Sequence, residues 1–332
     1  MSHTRATSYD VAKEAGVAQS TVSRCFRDDG GISPATRARV HAAAARLGYT
    51  PNALARSLIL NRSNMVGLIV SELTLRANPD LVAGIARALS AAGKRLMLLP
   101  TADLPAAAAA AQAALAYPLD GLIVTPTLAD ATLAPFLRQQ TPVVVLNRPA
   151  GPPGCDRVAS DHTEAGRTIA TRLHRAGHRR FLCLGGTGRF PVNEERRHGF
   201  LTRLAELGAT STHELLVAET YAAARTAFIA HTATHGTPDA VFAVYDHLAF
   251  GVIDACRYDL GLAVPTDVSV IGFDNVAEAA HQAYNLTSTR QNLETIATTT
   301  VEFLLRRLET PDAPSETVLV PTELILRGSA RV

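Results

Sequence analysis

From residue 63 onward the chain repeats one pattern, a short continuous apolar run followed by a stretch with helical periodicity. Such runs are typical of strands buried on both faces, with helices covering those faces. The runs fall into two sets, which are MVGLIV (65–70), RLMLL (95–99), GLIVT (121–125) and PVVVL (142–146), then FLCLG (181–185), ELLVAE (214–219), AVFAV (240–244) and VSVIGF (268–273). The pattern therefore predicts an α/β body of parallel sheets arranged as two similar lobes.

The boundaries of the two lobes follow from the same pattern. Amphipathic helices over 79–92 and 161–176 are each followed by glycine, a residue common where helices stop. The last stretch, 286–330, is expected to cross back between the lobes and to add strands. The predicted body covers 63–332, with its first lobe at about 63–160 plus about 291–320 and its second at about 161–290 plus a C-terminal strand.

The first fifty residues predict three short helices instead of strands. Ser8 is a candidate cap for the first helix, which Gly16 ends because glycine accepts a left-handed backbone. A second helix is expected over about Gln19–Phe26. The third has the clearest signals, which are Ser33 as a cap, Pro34 at the first helical position and Gly48 at the end. Residues 1–50 therefore form a predicted small helical domain.

The charge of the chain is unevenly distributed. Residues 1–62 carry nine Lys and Arg against four Asp and Glu, whereas the remainder carries 23 against 26. A basic arm on a mildly acidic body favours a polyanionic partner for the arm alone. Many basic segments are simply solvated, so charge by itself leaves both interpretations open.

The second predicted helix leaves polar side chains on its outer surface. These are Gln19, Ser20, Thr21, Ser23 and Arg24. A helix after a tight turn can enter the major groove of DNA, where Arg and Gln bind base edges and Ser or Thr bind bases or phosphates. A generic three-helix bundle with a polar face is the alternative that this patterning leaves open.

The segments YDVAKEAGVAQSTVSRCF and ISPATRARVHAAAARLGYTPNALARSL resemble the DNA-binding region of the lactose-repressor (LacI/GalR) family. The resemblance runs over some fifty residues without a gap and implies a helix-turn-helix domain. It places Gln19, Ser20 and Arg24 where the family reads bases. Ala18 departs from the family, which often has a capping Ser there, and an Ala at a cap costs about 0.5–2 kcal/mol.

Residues 51–62 are predicted to form a hinge. The stretch Asn52 to Leu58 could form a helix of two turns, too short to be stable alone in water. The resemblance implies that it folds when paired with a second copy on DNA, with Asn52 and Arg56 contacting the duplex. Leu58 aligns with the family leucine that wedges into the minor groove and bends the duplex. Ordinary packing in a linker is the alternative for Leu58.

Polar residues just beyond the predicted strands are the candidates for a ligand cleft, because open α/β sheets bind ligands past the carboxyl ends of their strands. These are Arg148, Asp161, Arg196, Asp246 and Asp274. The resemblance, which extends to the two-lobed, periplasmic-binding-protein-like body, places Asp161, Arg196, Asp246 and Asp274 at effector-contacting or cleft positions. Asp161 and Asp246 also precede or begin predicted helices, so capping is an alternative role for both.

Two departures from the family limit what the effector can be. Asn78-Pro79 is followed by Asp80 and Leu81 where many relatives have an aromatic pair, and Tyr245 stands where Asn is often found. The chain also has no Trp. Stacking on a sugar or purine ring is therefore not expected at the first helix of the body. A polar effector is expected, such as a sugar, a sugar acid or another polar metabolite.

Other motifs fall short of a cofactor, a metal or an enzyme. Pro191 stands where a dinucleotide-binding loop after Gly186 would need its third glycine. Gly177 breaks the helix between His174 and His178, and the pair His231/His235 has no third ligand in view. No nucleophile elbow is present. The sequence therefore predicts no cofactor, no metal and no catalysis. Its isolated cysteines, and the lack of a leader or a membrane span, favour the cytoplasm.

The sequence thus predicts a transcription regulator, most simply a repressor, whose affinity for an operator depends on a small polar effector bound between two lobes. A homodimer on a near-palindromic site in duplex DNA is expected, and the absence of an apolar heptad tail after Arg327 favours a dimer over a tetramer. The alternatives are an exported solute-binding protein and an enzyme that uses the cleft. Binding to DNA that depends on salt would separate the regulator from both.

Overall fold

The structure is a computed structural model that describes residues 6–26, 31–50, 63–148, 151–187 and 191–332. The chain divides into two compact units, residues 1–63 and 64–332. Among the described residues, no helix combines the length and the apolar character that a bilayer crossing requires.

The first unit contains three helices within its described part, α1 (Ser8–Ala15), α2 (Gln19–Cys25) and α3 (Pro34–Leu47). Their inward faces form one small apolar cluster made by Val11, Ala12, Ala15, Val22, Cys25, Val40, Ala43 and Ala44. The cluster is the only hydrophobic contact area these short helices have among the described residues of this unit, so their orientation depends on it. The three helices expected from the sequence are confirmed.

Most of the residues predicted to begin or end these helices do so in the structure. Gly16 and Gly48 both have left-handed backbones, and Ser33 accepts a hydrogen bond from the backbone of Thr36. Ser8 as the first cap is wrong. Thr7 occupies that position because its hydroxyl accepts from the backbone of Asp10, whose carboxylate in turn accepts from the Thr7 N–H at 2.8 Å. Ala18 begins α2 without a side-chain cap, as expected.

The second unit holds two sheets of six strands each. The first sheet has the order β11-β5-β4-β3-β1-β2, and all its pairs are parallel. Its strands are β1 (Met65–Ser71), β2 (Arg95–Thr101), β3 (Gly121–Val124), β4 (Val143–Leu146), β5 (Cys155–Ser160) and β11 (Thr317–Val320). Strands β3 and β4 are buried along their whole length, as a sheet covered on both faces requires.

The second sheet has the order β12-β10-β9-β8-β6-β7 and is parallel except for the pairing of β10 with β12. Its strands are β6 (Arg180–Gly186), β7 (Ser211–Val217), β8 (Ala240–Ala243), β9 (Ser269–Phe273), β10 (Thr287–Arg290) and β12 (Glu323–Ile325). Every predicted apolar run lies in or overlaps a strand. The run at 214–219 is displaced, because β7 begins at Ser211 and ends at Val217.

Helices cover both sheets. They are α4 (Glu72–Ala77), α5 (Pro79–Ala91), α6 (Leu104–Ala114), α7 (Asp130–Arg138), α8 (His162–Arg175), α9 (Pro191–Glu206), α10 (Tyr221–His235), α11 (Asp246–Asp254) and α12 (Leu293–Glu309). A π-helical segment, Ala255–Leu260, continues α11, and a 3-10 turn spans Ala277–Ala280. The predicted α/β body with two lobes of parallel sheet is confirmed.

The chain crosses between the lobes at three places. It passes from β5 to α8 at Asp161, from β10 to α12 at Gln291, and from β11 to β12 near Pro321. After the second crossing, α12 packs on α5 of the first lobe, where the Ala297 methyl group lies against Gly84. Residues near these crossings belong to neither lobe alone, so they are placed to respond to a change in how the lobes pack.

Candidate functional site

A cavity lies within the second unit where the strands of both sheets end, and it encloses about 520 Å³ when the space open to solvent is included. Its polar lining comes from strand ends and the segments after them, and comprises Ser71, Thr74, Asn78, Thr125, Asn147, Arg148, Arg196, Tyr245, Asp274 and Gln291. The cavity therefore lies where a cleft was predicted, beyond the carboxyl ends of the parallel strands.

Arg196 of α9 is the most tightly held charge in the cavity. Its guanidinium donates to the backbone oxygen of Val244 at 2.7 Å, to Asp274 Oδ1 at 3.0 Å and to His162 Nδ1 at 3.3 Å. Its central carbon also lies 3.6 Å from the ring centre of Phe273, close enough for a cation–π contact. Each of its three nitrogens therefore already has a partner within the second lobe.

Helix packing explains why Arg196 is so well placed. Gly166 of α8 faces Gly199 of α9, and a Cβ at Gly166 would lie 2.3 Å from the backbone oxygen of Arg196. A Cβ at Gly199 would lie 2.1 Å from the oxygen of Thr163. Only glycine allows such an approach of two backbones. This close contact sets the position of α9 along α8, and it brings Arg196 beside His162.

His162 begins α8 and is fully buried beneath the cavity. Burial, followed by the nearby guanidinium of Arg196, lowers the pKa of His162 well below its usual value. The ring is therefore neutral, and since Nδ1 accepts from Arg196, the proton resides on Nε2. Among the described residues this Nε2 has no hydrogen-bond partner.

Asp274 and Gln291 connect the two lobes. Asp274 Oδ1 accepts from both Arg196 and the Gln291 amide, which lies 2.9 Å away. The amide oxygen of Gln291 accepts in turn from Ser160 at 2.8 Å and from Asn147 at 3.2 Å. Asp274 has a backbone φ of 104°, a region that non-glycine residues rarely adopt and that often occurs at functional sites. The chain of bonds runs from Arg196 to the end of the first sheet.

Arg148 follows β4 and supplies the other arginine of the cavity. Its side chain is buried, yet among the described residues it forms no ion pair, and its one hydrogen bond is a 2.9 Å donation to the backbone oxygen of Asn147. Its Nε has no partner there. Burial lowers the pKa of Arg148 to about 10, so the group is still charged at neutral pH. Arg148 is thus a buried cation that makes no direct ion pair within the described part of the chain, although the charge of Glu195 acts in the opposite direction to burial on its pKa.

Two of the five predicted cleft residues lie elsewhere. Asp161 caps α8, where its carboxylate accepts from the Glu164 N–H at 3.0 Å, and it lines a separate depression. Asp246 is buried and accepts from Ser288 Oγ and from the Val276 N–H, so it acts as an internal tie and not as a helix cap. The structure therefore brings Arg148, Arg196 and Asp274 together and leaves Asp161 and Asp246 outside the cavity lining.

Several lining residues escaped the sequence prediction. Tyr245 lies beside Arg196, and burial raises the pKa of its phenol to about 12, which keeps it a hydrogen-bond donor. Gln291 lies just after β10, a strand of Thr and Ser that no apolar run marks. Ser71 and Thr125 occupy ends of strands that were predicted correctly. Reading every polar residue at a strand end, and not only the charged ones, could have found these two.

The predicted DNA-reading residues lie on α2. Ser20 and Arg24 are exposed, whereas Gln19, Thr21 and Ser23 are partly buried. Gln19 Nε2 donates to Ser8 Oγ of α1 at 3.2 Å, a bond that steadies the first residue of α2. Asn52, Arg56 and Leu58 lie outside the described residues.

The His231/His235 pair differs from the sequence expectation. His213 of β7 lies beside His231 and His235 of α10, so this pair does have a third neighbour that spacing along the sequence could not reveal. The pair His174/His178 forms no such group in the described part of the chain. His174 stacks on Phe181, and the His178 ring bonds the backbone oxygen of Arg331.

Two regions of the chain match described families. Residues 7–52 match the bacterial regulatory proteins of the lacI family, and residues 170–330 match a periplasmic binding protein-like domain. The HTH-type transcriptional repressor PurR of Photobacterium profundum is 29% identical over 98% of this chain and 99% of that protein. The probable HTH-type transcriptional repressor ExuR of Bacillus subtilis is 28% identical over 97% of each chain.

Solved structures show the same relationship over the whole chain. The lac repressor dimer bound to operator and the anti-inducer ONPF is similar with a TM-score of 0.89 and 25% identity, covering 98% of this chain and 99% of that one. The complex of the transcriptional regulator CelR with cellobiose gives a TM-score of 0.71 and 29% identity, covering 98% and 100%.

A helix-turn-helix unit and a two-lobed body with a cavity where its strands end define a class, the DNA-binding regulators that respond to a small molecule. The chain belongs to the LacI family of bacterial transcriptional regulators, whose similar members are repressors and not enzymes. The resemblance read from the first fifty residues is thereby confirmed, as is the prediction of a regulator.

Proposed function

We propose that the effector of this repressor is an acidic, polyhydroxylated small molecule such as a sugar acid, held by Arg148. The observation that carries the proposal is that Arg148 is buried and forms no direct ion pair among the described residues. A buried charge without a partner is costly, and an anionic ligand group that accepts from a guanidinium supplies a strong, oriented bond. Arg196 cannot serve in this way because Asp274 already neutralises it.

The rest of the cavity suits hydroxyl groups. Ser71, Thr74 and Thr125 offer hydroxyls on the side of the first lobe, and Asn78 offers an amide. Each of these groups can donate and accept, which matches the dual character of a sugar hydroxyl. A ligand with one anionic group and several hydroxyls would therefore satisfy both kinds of lining.

The same cavity suggests how the effector controls DNA affinity. Arg148 belongs to the first lobe and Arg196 to the second, and Gln291 bonds to residues of both. A ligand bound among these residues favours one packing of the lobes. We expect a coupling to operator affinity of about 1–3 kcal/mol, and by linkage the operator changes effector affinity equally.

A thermal-shift comparison of matched ligands tests the effector class. Glucuronate, galacturonate and gluconate are each compared with the neutral parent sugar, because a ligand of the folded state raises the melting temperature. At least one acid should raise it by several degrees while its parent sugar has little effect. Stabilisation by neutral sugars or nucleosides, with none by any acid, would contradict an effector held by Arg148.

On DNA, we propose that a homodimer places two copies of α2 in successive major grooves of a near-palindromic operator, with the action taking place in the cytoplasm. Gln19, Ser20 and Arg24 would contact bases, Thr21 and Ser23 bases or phosphates, and the hinge residues Asn52, Arg56 and Leu58 the minor groove. The exposed position of Ser20 and Arg24 on α2 supports this assignment.

Selection from random duplexes, followed by gel-shift titration, tests the DNA assignment. Arg24→Ala should weaken binding to the selected site by about 1–3 kcal/mol, since it removes a contact to a base edge. Arg46→Ala removes the same charge from α3, where Arg46 pairs with Glu14, and should change affinity far less. Leu58→Ala should abolish tight binding. Equal effects of the Arg24 and Arg46 substitutions would remove the support for base reading by α2.

A further inference from the structure

Three histidines form a compact cluster on the second lobe, and none of them lines the effector cavity. His213 lies on β7, the edge strand of its sheet, and His231 and His235 lie in the last two turns of α10. One ligand nitrogen from each ring lies within 4.8 Å of the other two. The ring centres are 4.8 to 5.1 Å apart, and the rings of His231 and His235 are nearly parallel.

A neighbouring hydroxyl orients one of these rings. Thr234 Oγ1 lies 3.0 Å from the oxygen of Ala230 and 3.1 Å from the oxygen of His231, and both of these can only accept. In the tautomer in which His235 Nδ1–H donates to this hydroxyl, at 2.7 Å, the hydroxyl proton can bond a carbonyl. This leaves the Nε2 lone pair of His235 available to bind a metal, in the way that outer partners typically orient metal-binding histidines.

The surroundings favour a bound cation. His231 is buried, and the other two rings lie against it. The carboxyl end of α10 also carries the negative end of the helix dipole, which attracts positive charge.

We propose that His213, His231 and His235 form a binding site for a zinc-class divalent metal ion. Histidine nitrogens suit zinc, and two ligands four residues apart on a helix with a third from a strand are a common way to hold it. Nitrogens about 2.0–2.1 Å from a tetrahedral ion are roughly 3.3 Å apart, so the rings must approach by small side-chain rotations. Three protein ligands leave a fourth position for water.

A metal at this point would tie two elements of the second lobe together. It would join the edge strand β7 to the end of α10, two elements that otherwise meet through few backbone contacts. The ion should therefore raise the thermal stability of the folded protein. The three histidines are not among the residues that line the effector cavity, so the occupancy of the metal site does not depend on the effector class.

Titration of zinc into full-length, tag-free, chelator-treated protein tests the site, with a chromophoric chelator as competitor. We expect one ion per chain with a micromolar or tighter dissociation constant, and a melting temperature that rises by a few degrees. Cobalt should give a visible spectrum of low coordination number. His213→Gln and His235→Gln should each weaken zinc binding at least tenfold and abolish the thermal shift.

His281→Gln serves as the matched control, because His281 is exposed on the same lobe and outside the cluster. It should bind zinc like the wild type. Melting temperatures in chelator show whether the variants are folded, since all should match there. Unchanged zinc affinity in His213→Gln would overturn the three-ligand site and indicate only a weak surface pair on α10. Equal loss in the control, or no binding by the wild type, would also overturn it.

Discussion

The two sides of the effector cavity each present a buried arginine, and the protein treats them in opposite ways. Arg196 in the second lobe has a carboxylate, a backbone oxygen and a histidine nitrogen as partners, with an aromatic ring against its face. Arg148 in the first lobe has one backbone oxygen. Of the two, only Arg196 forms a direct ion pair within the described part of the chain.

This difference assigns different roles to the two residues. A buried charge whose partners all come from the protein contributes to the structure, because removing it leaves those partners buried and unpaired. A buried charge without such partners raises the free energy of the folded state until a ligand supplies them. Arg196 therefore organises the site, whereas Arg148 is available to the effector, although the sequence predicted both as candidates to contact the effector and the family resemblance favoured Arg196.

The largest effect should come from Arg196→Leu. It leaves the Asp274 carboxylate and the oxygen of Val244 buried without their donor, and should lower the free energy of unfolding by about 3–5 kcal/mol. Urea titration followed by circular dichroism measures this. Arg197→Leu, at the next residue, breaks only a partly exposed pair with Glu214 and should cost less than about 1 kcal/mol. Similar losses in both variants would contradict a structural role specific to Arg196.

Arg148→Leu should separate binding from stability. Removing an uncompensated buried charge should leave the free energy of unfolding unchanged or raise it. The loss of a charge-assisted bond should weaken an acidic effector by about 2–3 kcal/mol, which is roughly 30- to 150-fold. Calorimetric titration with the acid found by thermal shift measures the affinity, and Arg148→Lys should retain part of it. If Arg148→Leu destabilises the protein as Arg196→Leu does, the contrast between the two arginines fails.

Much of the fold was predictable because its signals are local or repetitive. Strands β3 and β4 are apolar throughout since both their faces are covered, and Gly16 and Gly48 mark helix ends through backbone freedom alone. Strand β10, with the sequence TSTR, was not visible as a strand. Its first three residues are buried although they are polar, because hydroxyls such as that of Ser288 find partners in neighbouring segments.

The site was less predictable because its members come together only in three dimensions. Position after a strand found Arg148 and Asp274, but whether an arginine already has a partner depends on residues far away in sequence, such as Asp274 for Arg196. Asp246 also follows a strand, yet its side chain turns inward to Ser288. His213 and the α10 histidines show the same limit, since strand and helix are adjacent only after folding.

Asp246, in the second lobe, is a buried charged group whose effect on stability should depend on pH. Burial raises the pKa of its carboxyl to about 8, above the unfolded value near 4. The folded state therefore binds this proton more tightly. Its contribution to stability is complete below about pH 4 and is lost as the pH rises toward 8, with a slope of at most about 1.4 kcal/mol per pH unit.

Asp246→Asn removes this titration while keeping hydrogen-bonding groups for Ser288 and Val276. Its free energy of unfolding should fall less steeply between about pH 5 and 7 than that of the wild type, by up to about 1 kcal/mol per pH unit. Urea titrations at several pH values measure the slopes. Asp80→Asn, at an exposed position, should keep the slope of the wild type. Parallel curves for wild type and Asp246→Asn would show that the buried carboxyl is ionised throughout.

The smallest effect on effector affinity should come from Asp161→Ala, which tests the difference between cavity residues and residues that only lie near a crossing. Asp161 caps α8 through the Glu164 N–H, so the loss should be about 0.5–2 kcal/mol of unfolding free energy. Effector affinity should stay within about twofold, since that is less than about half a kcal/mol. Asp161→Ser restores a capping oxygen without the charge and should recover the stability. A large loss of effector affinity in both variants would instead place Asp161 at the ligand, as the family resemblance implies, and would require the lobes to close over it when the effector binds.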